Sequence, residues 1–156
     1  MQKVIAVIGA GACDEATFQA ARQVGELLAQ AGCIVANGGL SGVMDAASQG
    51  AREAGGLVVG ILPSADPADA NSFVSVAVAT GMGDARNAII ANTADGFVAV
   101  AGALGTLSEI AFAVKRGKPV VSLGSWEVCP QVHQAATPKE AVDWVLGKTG
   151  MSRRRR

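Results

Sequence analysis

The sequence of 156 residues contains one histidine, His133, and three cysteines, Cys13, Cys33 and Cys129, with no Cys-x-x-Cys pair. A zinc site of the usual kind is therefore not available and no metal is expected, and no histidine-based triad with Ser or Cys stands out. Widely spaced, odd-numbered thiols fit a reducing cytoplasm, which is the expected location. No apolar run approaches the ~18 residues of a membrane span. The start, Met1-Gln2-Lys3, enters a strand-like run with no small-residue cleavage site after it, so no signal peptide is expected. Charge is scarce at 17%, and the formal net charge is zero. That balance hides an asymmetry, because Arg153, Arg154, Arg155 and Arg156 hold four of the thirteen basic residues. The remaining nine face thirteen acidic residues, a net of −4. An acidic body gives no reason to expect nucleic-acid binding by the fold. Residues 151–156 read as a basic, disordered, solvated tail.

What is abundant is small and apolar. Thirty Ala and twenty Gly make up almost a third of the chain, within a hydrophobic content of 50%. Such a chain is neither disordered nor membrane-spanning, and its length suits one domain, residues 1–150. The interior should pack through small residues with close backbone approach.

Short apolar runs alternate with helical stretches. Strands are expected at 4–8, 33–36, 57–62, 74–79, 97–101 and 119–123. Helices are expected at 14–31, with Phe18, Ala21, Val24, Leu27 and Leu28 on one face, and at 43–54, 84–93 and 106–116. A last helix opens at Thr137-Pro138-Lys139-Glu140, a capping box with Pro at the first helical position, and runs through 146. Residues 64–72, with one Pro and two Asp, read as a surface loop. β-Branched strands alternating with helices imply an α/β fold, a Rossmann-like doubly wound parallel sheet in a single domain. Ligands in that architecture sit at the carboxyl ends of the strands, and the glycines cluster there.

Three glycine loops carry different weight. Gly9-Ala10-Gly11 begins like a dinucleotide fingerprint but has Asp14 where the third Gly belongs. Asn37 stands where a ribose-binding acid would end the second strand, so an NAD(P) site is not supported. No Gly-Lys-Ser/Thr occurs, so there is no P-loop. Asn37-Gly38-Gly39-Leu40-Ser41-Gly42 leads into a helix whose free N–H groups suit an anion, or is simply a tight strand-to-helix turn. Ala101-Gly102-Ala103-Leu104-Gly105-Thr106 does the same after the fifth strand. There Thr106-x-x-Glu109 reads either as a capping box or as a carboxylate in the cleft. Arg86 follows Gly81-Met82-Gly83-Asp84. It is either a surface arginine paired with Asp84 or a fork gripping a phosphate or carboxylate.

These motifs carry a resemblance. Asn37-Gly38-Gly39-Leu40-Ser41-Gly42-Val43-Met44, then Ala46-Ala47 and Gly55-Gly56-Leu57-Val58-Val59-Gly60-Ile61-Leu62-Pro63, is similar to the Lonely Guy type proteins, once labelled lysine decarboxylases. Gly105-Thr106-Leu107-Ser108-Glu109 resembles the family's Pro-Gly-Gly-x-Gly-Thr-x-x-Glu signature. The run Gly81-Met82-Gly83-Asp84-Ala85-Arg86-Asn87 looks closer to the short bacterial branch related to the molybdenum cofactor carrier protein. The resemblance spans residues 3 to 123 and implies a homodimer or homotetramer. It implies Arg86 and Glu109 as catalytic residues and Gly38, Gly39, Gly42, Gly102, Gly105 and Thr106 as phosphate-loop residues. Gly9, Gly11, Ser41, Met82 and Asn87 complete the candidate binding set. Three departures stand out: Ala101-Gly102-Ala103 replaces Pro-Gly-Gly, Asp45 replaces a Gly, and Ser108 replaces a first Glu. A pyridoxal decarboxylase is set aside because none of the five lysines lies in a glycine loop.

Two functions follow. The first is a binding or carrier protein for a phosphorylated small molecule, either a nucleotide or the molybdenum cofactor. The alternative is a nucleoside 5′-monophosphate phosphoribohydrolase that releases base and ribose 5-phosphate. Its oxocarbenium-like transition state would be stabilised by Glu109, and it would require no cofactor. Ala85, Ala88 and Ala91, with Ile110, Ala111, Ala113 and Val114, are expected at a two-fold interface. Trp126 and Trp144 are expected in core or interface rather than as ligand stackers, and His133 exposed.

Overall fold

The computed structural model describes residues 1–150; the tail expected at 151–156 lies outside the described residues. In chain order the elements are β1 (Val4–Gly9), α1 (Glu15–Gln30), β2 (Ile34–Asn37), α2 (Val43–Glu53), β3 (Val58–Leu62), β4 (Val76–Ala79), α3 (Arg86–Thr93), β5 (Gly96–Val100), α4 (Leu104–Lys115), β6 (Val120–Leu123), β7 (Val132–Gln134) and α5 (Pro138–Lys148). The strands form one parallel sheet in the order β4-β3-β2-β1-β5-β6-β7. This is the Rossmann-like, doubly wound single domain read from the pattern.

The chain steps outward from β1 to β4, then α3 carries it back across the sheet to β5. Right-handed crossovers in opposite directions put helices on opposite faces. One core packs Ile5, Val7, Val35, Val98 and Val100 against α1, α2 and α5; the other packs Ala6, Ile8, Ile61, Phe97 and Ala99 against α3 and α4. The reversal leaves a crevice at the carboxyl ends of β1 and β5, where Gly9 and Val100 pair.

Local signals act as their chemistry requires. Asp14 caps α1 by accepting from the Thr17 N–H at 2.8 Å. Thr137 caps α5 by accepting from the Glu140 N–H at 3.2 Å, and the Glu140 carboxylate accepts from the Ala136 N–H at 2.9 Å. Small residues set the α1–α2 distance. A Cβ on Gly25 would overlap the Ala47 carbonyl, and one on Gly50 would overlap the Arg22 carbonyl. Arg22 and Glu53 pair across the same seam.

Four expectations change. A seventh strand, β7, pairs with β6; three residues with one inward apolar side chain, Val132, are too short to show a period. His133 is not simply exposed, because its ring stacks on Trp144 at 4.7 Å and 3°. Trp144 packs against the core, but Trp126 is 38% exposed. Ala91, Ile110 and Ala113 are fully buried within the domain, so they are not available to a two-fold interface as expected. Among the described residues no helix is long and apolar enough to cross a membrane.

The same substitution should act oppositely at two helical glycines. Gly50→Ala forces α1 and α2 apart and should lower stability by about 2 kcal/mol or more. Gly147→Ala meets open space and should raise it by about 0.5–1 kcal/mol, both read by urea denaturation.

Candidate functional site

The crevice begins with two loops bound to each other. Ser41 Oγ donates to the Gly11 carbonyl at 2.7 Å, and the Val43 N–H donates to the Ala10 carbonyl at 3.0 Å. Gly42 precedes α2 at φ 65°, and a Cβ there would also strike Ala10. Asn37, fully buried, organises the second loop. Its Oδ1 accepts from the Gly39 N–H at 2.8 Å while Nδ2 donates to Ser48 Oγ at 2.9 Å and the Met44 carbonyl at 3.2 Å. The missing ribose acid is thus an amide that both donates and accepts, which a carboxylate cannot do. Asn71 was passed over in the expected surface loop. Its N–H donates to the Gly39 carbonyl at 2.8 Å and its Nδ2 to the Leu40 carbonyl at 2.9 Å. The nearest glycines in the sequence, Gly60 and Gly81, are ten or more residues away, so no local signal marks it.

Arg86 opens α3 after a 3₁₀ turn, Gly83–Ala85. Neither sequence reading describes it fully. Its Nη1 donates to the carbonyls of Gly38 at 2.8 Å and Ile61 at 2.6 Å, and its Nε donates to Asn87 Oδ1 at 2.8 Å. It makes no ion pair with Asp84, and it offers no two-nitrogen fork. Nη2 alone carries no hydrogen bond to a described residue. The approach demands glycine at 38, because a Cβ there would stand 2.5 Å from Nη1. Burial lowers the Arg86 pKa from its ordinary value, and the charges of Glu109 and Asp84 push the other way. Asn87, also buried, passes the linkage on. Its Nδ2 donates to Ser108 Oγ at 3.1 Å, and Ser108 donates to the Gly105 carbonyl at 2.7 Å.

The third loop differs most from expectation. Helix α4 starts at Leu104 with Ala103 as its N-cap, so Thr106 and Glu109 are not a capping box. Thr106 is buried beneath Gly102, where any Cβ would overlap it. Glu109 lies in the second turn, 9% exposed, and its carboxylate makes no hydrogen bond to a described residue. Burial pushes its pKa from 4.5 up to about 7, against the pull of Arg86. The two charges sense each other but form no ion pair. Ala101 adopts φ 48° and is the one non-glycine residue at positive φ among those described. Proline is confined near −65°. The Pro-to-Ala departure therefore permits a backbone that a Pro-Gly-Gly loop cannot adopt. Ala103 sits at φ −118°, so its Cβ needs no special angle.

Helix α4 has neither a side-chain cap nor an acid in its first turn, so its leading N–H groups are unneutralised. Helix α2 also lacks a cap but carries Asp45 in its first turn, and burial raises that carboxyl's pKa. The fold thus brings together Arg86, Asn87, Gly38, Gly102, Thr106 and Glu109, with Gly9, Gly11, Gly39, Ser41 and Gly42 in the adjoining loops. Gly11 and Gly105 have space around them. Met82 stands apart, half-exposed on the rim. Among the described residues no cluster of three His, Cys, Asp or Glu could hold a metal.

The buried carboxyl has a pH signature. Between about pH 4.5 and 7 the unfolded chain ionises Glu109 while the folded protein keeps the proton. The folded state then binds more protons, so stability falls as pH rises, by about 3 kcal/mol in all. Glu109→Gln should remove that loss and raise the urea midpoint above wild type near pH 8 but not near pH 4.5. Ala101→Gly should be neutral or stabilising by up to about 1 kcal/mol, whereas Ala101→Pro should break the loop.

Comparison with known proteins identifies the family and the fold. The family model described as the SLOG cluster4 family matches residues 2–148. An uncharacterized protein of Archaeoglobus fulgidus is 47% identical over 145 residues, covering 93% of this chain and 95% of the relative. The molybdenum cofactor binding protein of Rippkaea orientalis superposes with a TM-score of 0.90 at 35% identity, covering 95% of this chain and 98% of that one. The molybdenum cofactor carrier protein of Chlamydomonas reinhardtii superposes with a TM-score of 0.85 at 34% identity, covering 94% and 98%. The likeness runs the full length of the domain, and the chain belongs to the SLOG cluster4 family, in the Lonely Guy-like superfamily beside the molybdenum cofactor carriers.

Proposed function

We propose that this protein is a carrier that holds a phosphorylated small molecule at the carboxyl edge of its sheet. One observation carries the reading. Helix α4 begins with uncapped N–H groups, and Arg86, whose Nη2 makes no hydrogen bond to a described residue, is linked to the helix's first turn through Asn87 and Ser108 and is close enough to Glu109 for the two charges to sense each other. A phosphate there would accept from the N–H groups of Leu104, Gly105 and Thr106 and from Arg86. Glu109 disfavours an anion when ionised. Protonated, it becomes a donor.

The two solved relatives are named for the molybdenum cofactor, a pterin that carries a phosphate. It would be cargo here, held by its phosphate. Ala101 supports carrying over turnover, since the loop departs in backbone as well as sequence from the hydrolase signature. The second reading, a phosphoribohydrolase, is favoured by Glu109 itself, because a carboxyl that titrates near 7 suits proton transfer at neutral pH.

Chromatography of a panel of nucleoside 5′-monophosphates, with calorimetry of ribose 5-phosphate, separates the two. The expected outcome is binding without release of free base. Arg86→Ala should weaken ribose 5-phosphate at least ~10-fold, through the lost charge-assisted bond. Release of base by wild type but not by Glu109→Gln would make the protein a hydrolase and overturn the carrier reading. Absence of binding would overturn both.

A further inference from the structure

The loop between β6 and β7 holds a feature that neither the anion site nor the core uses. Trp126 is 38% exposed, yet it is not loose, because its indole Nε1 donates to the Ala103 carbonyl at 3.0 Å. That carbonyl also accepts the first helical bond of α4, from the Leu107 N–H at 3.1 Å. The indole is therefore fixed beside the first turn of the helix that offers free N–H groups. Ala103 C=O and Leu104 N–H belong to one trans peptide group, so the ring's anchor lies across that planar group from the first of those donors.

Exposed residues adjoin the ring and its anchor along the chain. Leu104, the next residue after the anchor, is 74% exposed, and Val128, two residues after Trp126, is 43% exposed, with the exposed, charged Glu127 between it and the tryptophan. A tryptophan placed for packing buries its faces. Near the anion donors there is thus an anchored, partly exposed indole with an apolar residue, Leu104, at its anchor.

We infer that Trp126 is a stacking platform for the planar heterocycle of the ligand whose phosphate occupies the α4 N-terminus. This rests on the anion reading above and adds the class of the rest of the ligand, a planar heteroaromatic ring. Stacking needs only a π-face and tolerates different rings. Because the indole is already immobilised, little conformational freedom is lost on binding.

The test compares GMP with ribose 5-phosphate by calorimetry on wild type, Trp126→Ala and Trp126→Phe. Guanine shares the amino-oxo pyrimidine edge of a pterin, and ribose 5-phosphate has no ring to stack. Trp126→Ala should weaken GMP about 10-fold or more and leave ribose 5-phosphate within about twofold. Trp126→Phe, which keeps an aromatic face but not the anchor, should recover most of the GMP affinity. In wild type, GMP and not ribose 5-phosphate should quench the tryptophan emission, since Trp144 is covered by His133 on α5's side of the sheet. Equal loss for both ligands in Trp126→Ala would mean that the indole only braces the loop. GMP binding no tighter than ribose 5-phosphate in wild type would remove the ring contact. Either result overturns the platform and leaves the phosphate reading standing. Failure of both ligands to bind wild type overturns the two together.

Discussion

The half-buried guanidinium of Arg86 is the constraint on which the crevice depends. Removing a cation from water costs several kcal/mol unless its donors find partners. Here the Gly38 and Ile61 carbonyls and the Asn87 amide supply them. Those three partners lie on three separate segments: the loop after β2, the strand β3 and the helix α3. Through Asn87 and Ser108 the linkage reaches the first turn of α4. The arginine thus fixes the relative positions of loops that the chain brings together only after folding. Glycine at 38 is a condition of that arrangement, since any side chain would displace the cation.

A fixed cation and a bare helix end make a positive region, and the fold places a buried carboxyl beside it. Among the described residues Glu109 gains no hydrogen bond and no ion pair in return for its burial, so it prefers its proton. Such a group costs stability at neutral pH, and a cost of this kind at a cleft is a mark of function rather than of packing. The left-handed Ala101 adds a smaller cost at the same place. Both strains lie within one loop and the helix it starts, while the two hydrophobic cores beneath are tightly packed by small residues. Rigid scaffold below and strained loop above is the usual division in doubly wound folds.

Local signals were legible wherever the chemistry was local. The strand–helix alternation, the Thr137 cap and the three glycine loops all stand where the pattern puts them. The Thr106-x-x-Glu109 spacing misled because a capping box is defined by the helix start. That start moved to Leu104 once the loop turned through Ala101 and Gly102. Strand β7 escaped because its pairing with β6, not its three residues, makes it a strand. The alanine faces on α3 and α4 read as an interface because a sequence shows which residues share a face but not what covers it.

By itself the sequence determined the fold class, the edge of the sheet that carries the glycines, and the identity of Arg86 and Glu109 as the charges to watch. Each of these follows from spacing and side-chain chemistry within a short stretch of chain. Only the tertiary structure decided that Arg86 is held by backbone carbonyls 48 and 25 residues away and keeps one nitrogen free. It alone decided that Glu109 is buried and, among the described residues, unpaired, and that Trp126 lies against Ala103, 23 residues distant. Desolvation and hydrogen-bond partnership are properties of what surrounds a group, and those surroundings exist only once distant segments meet.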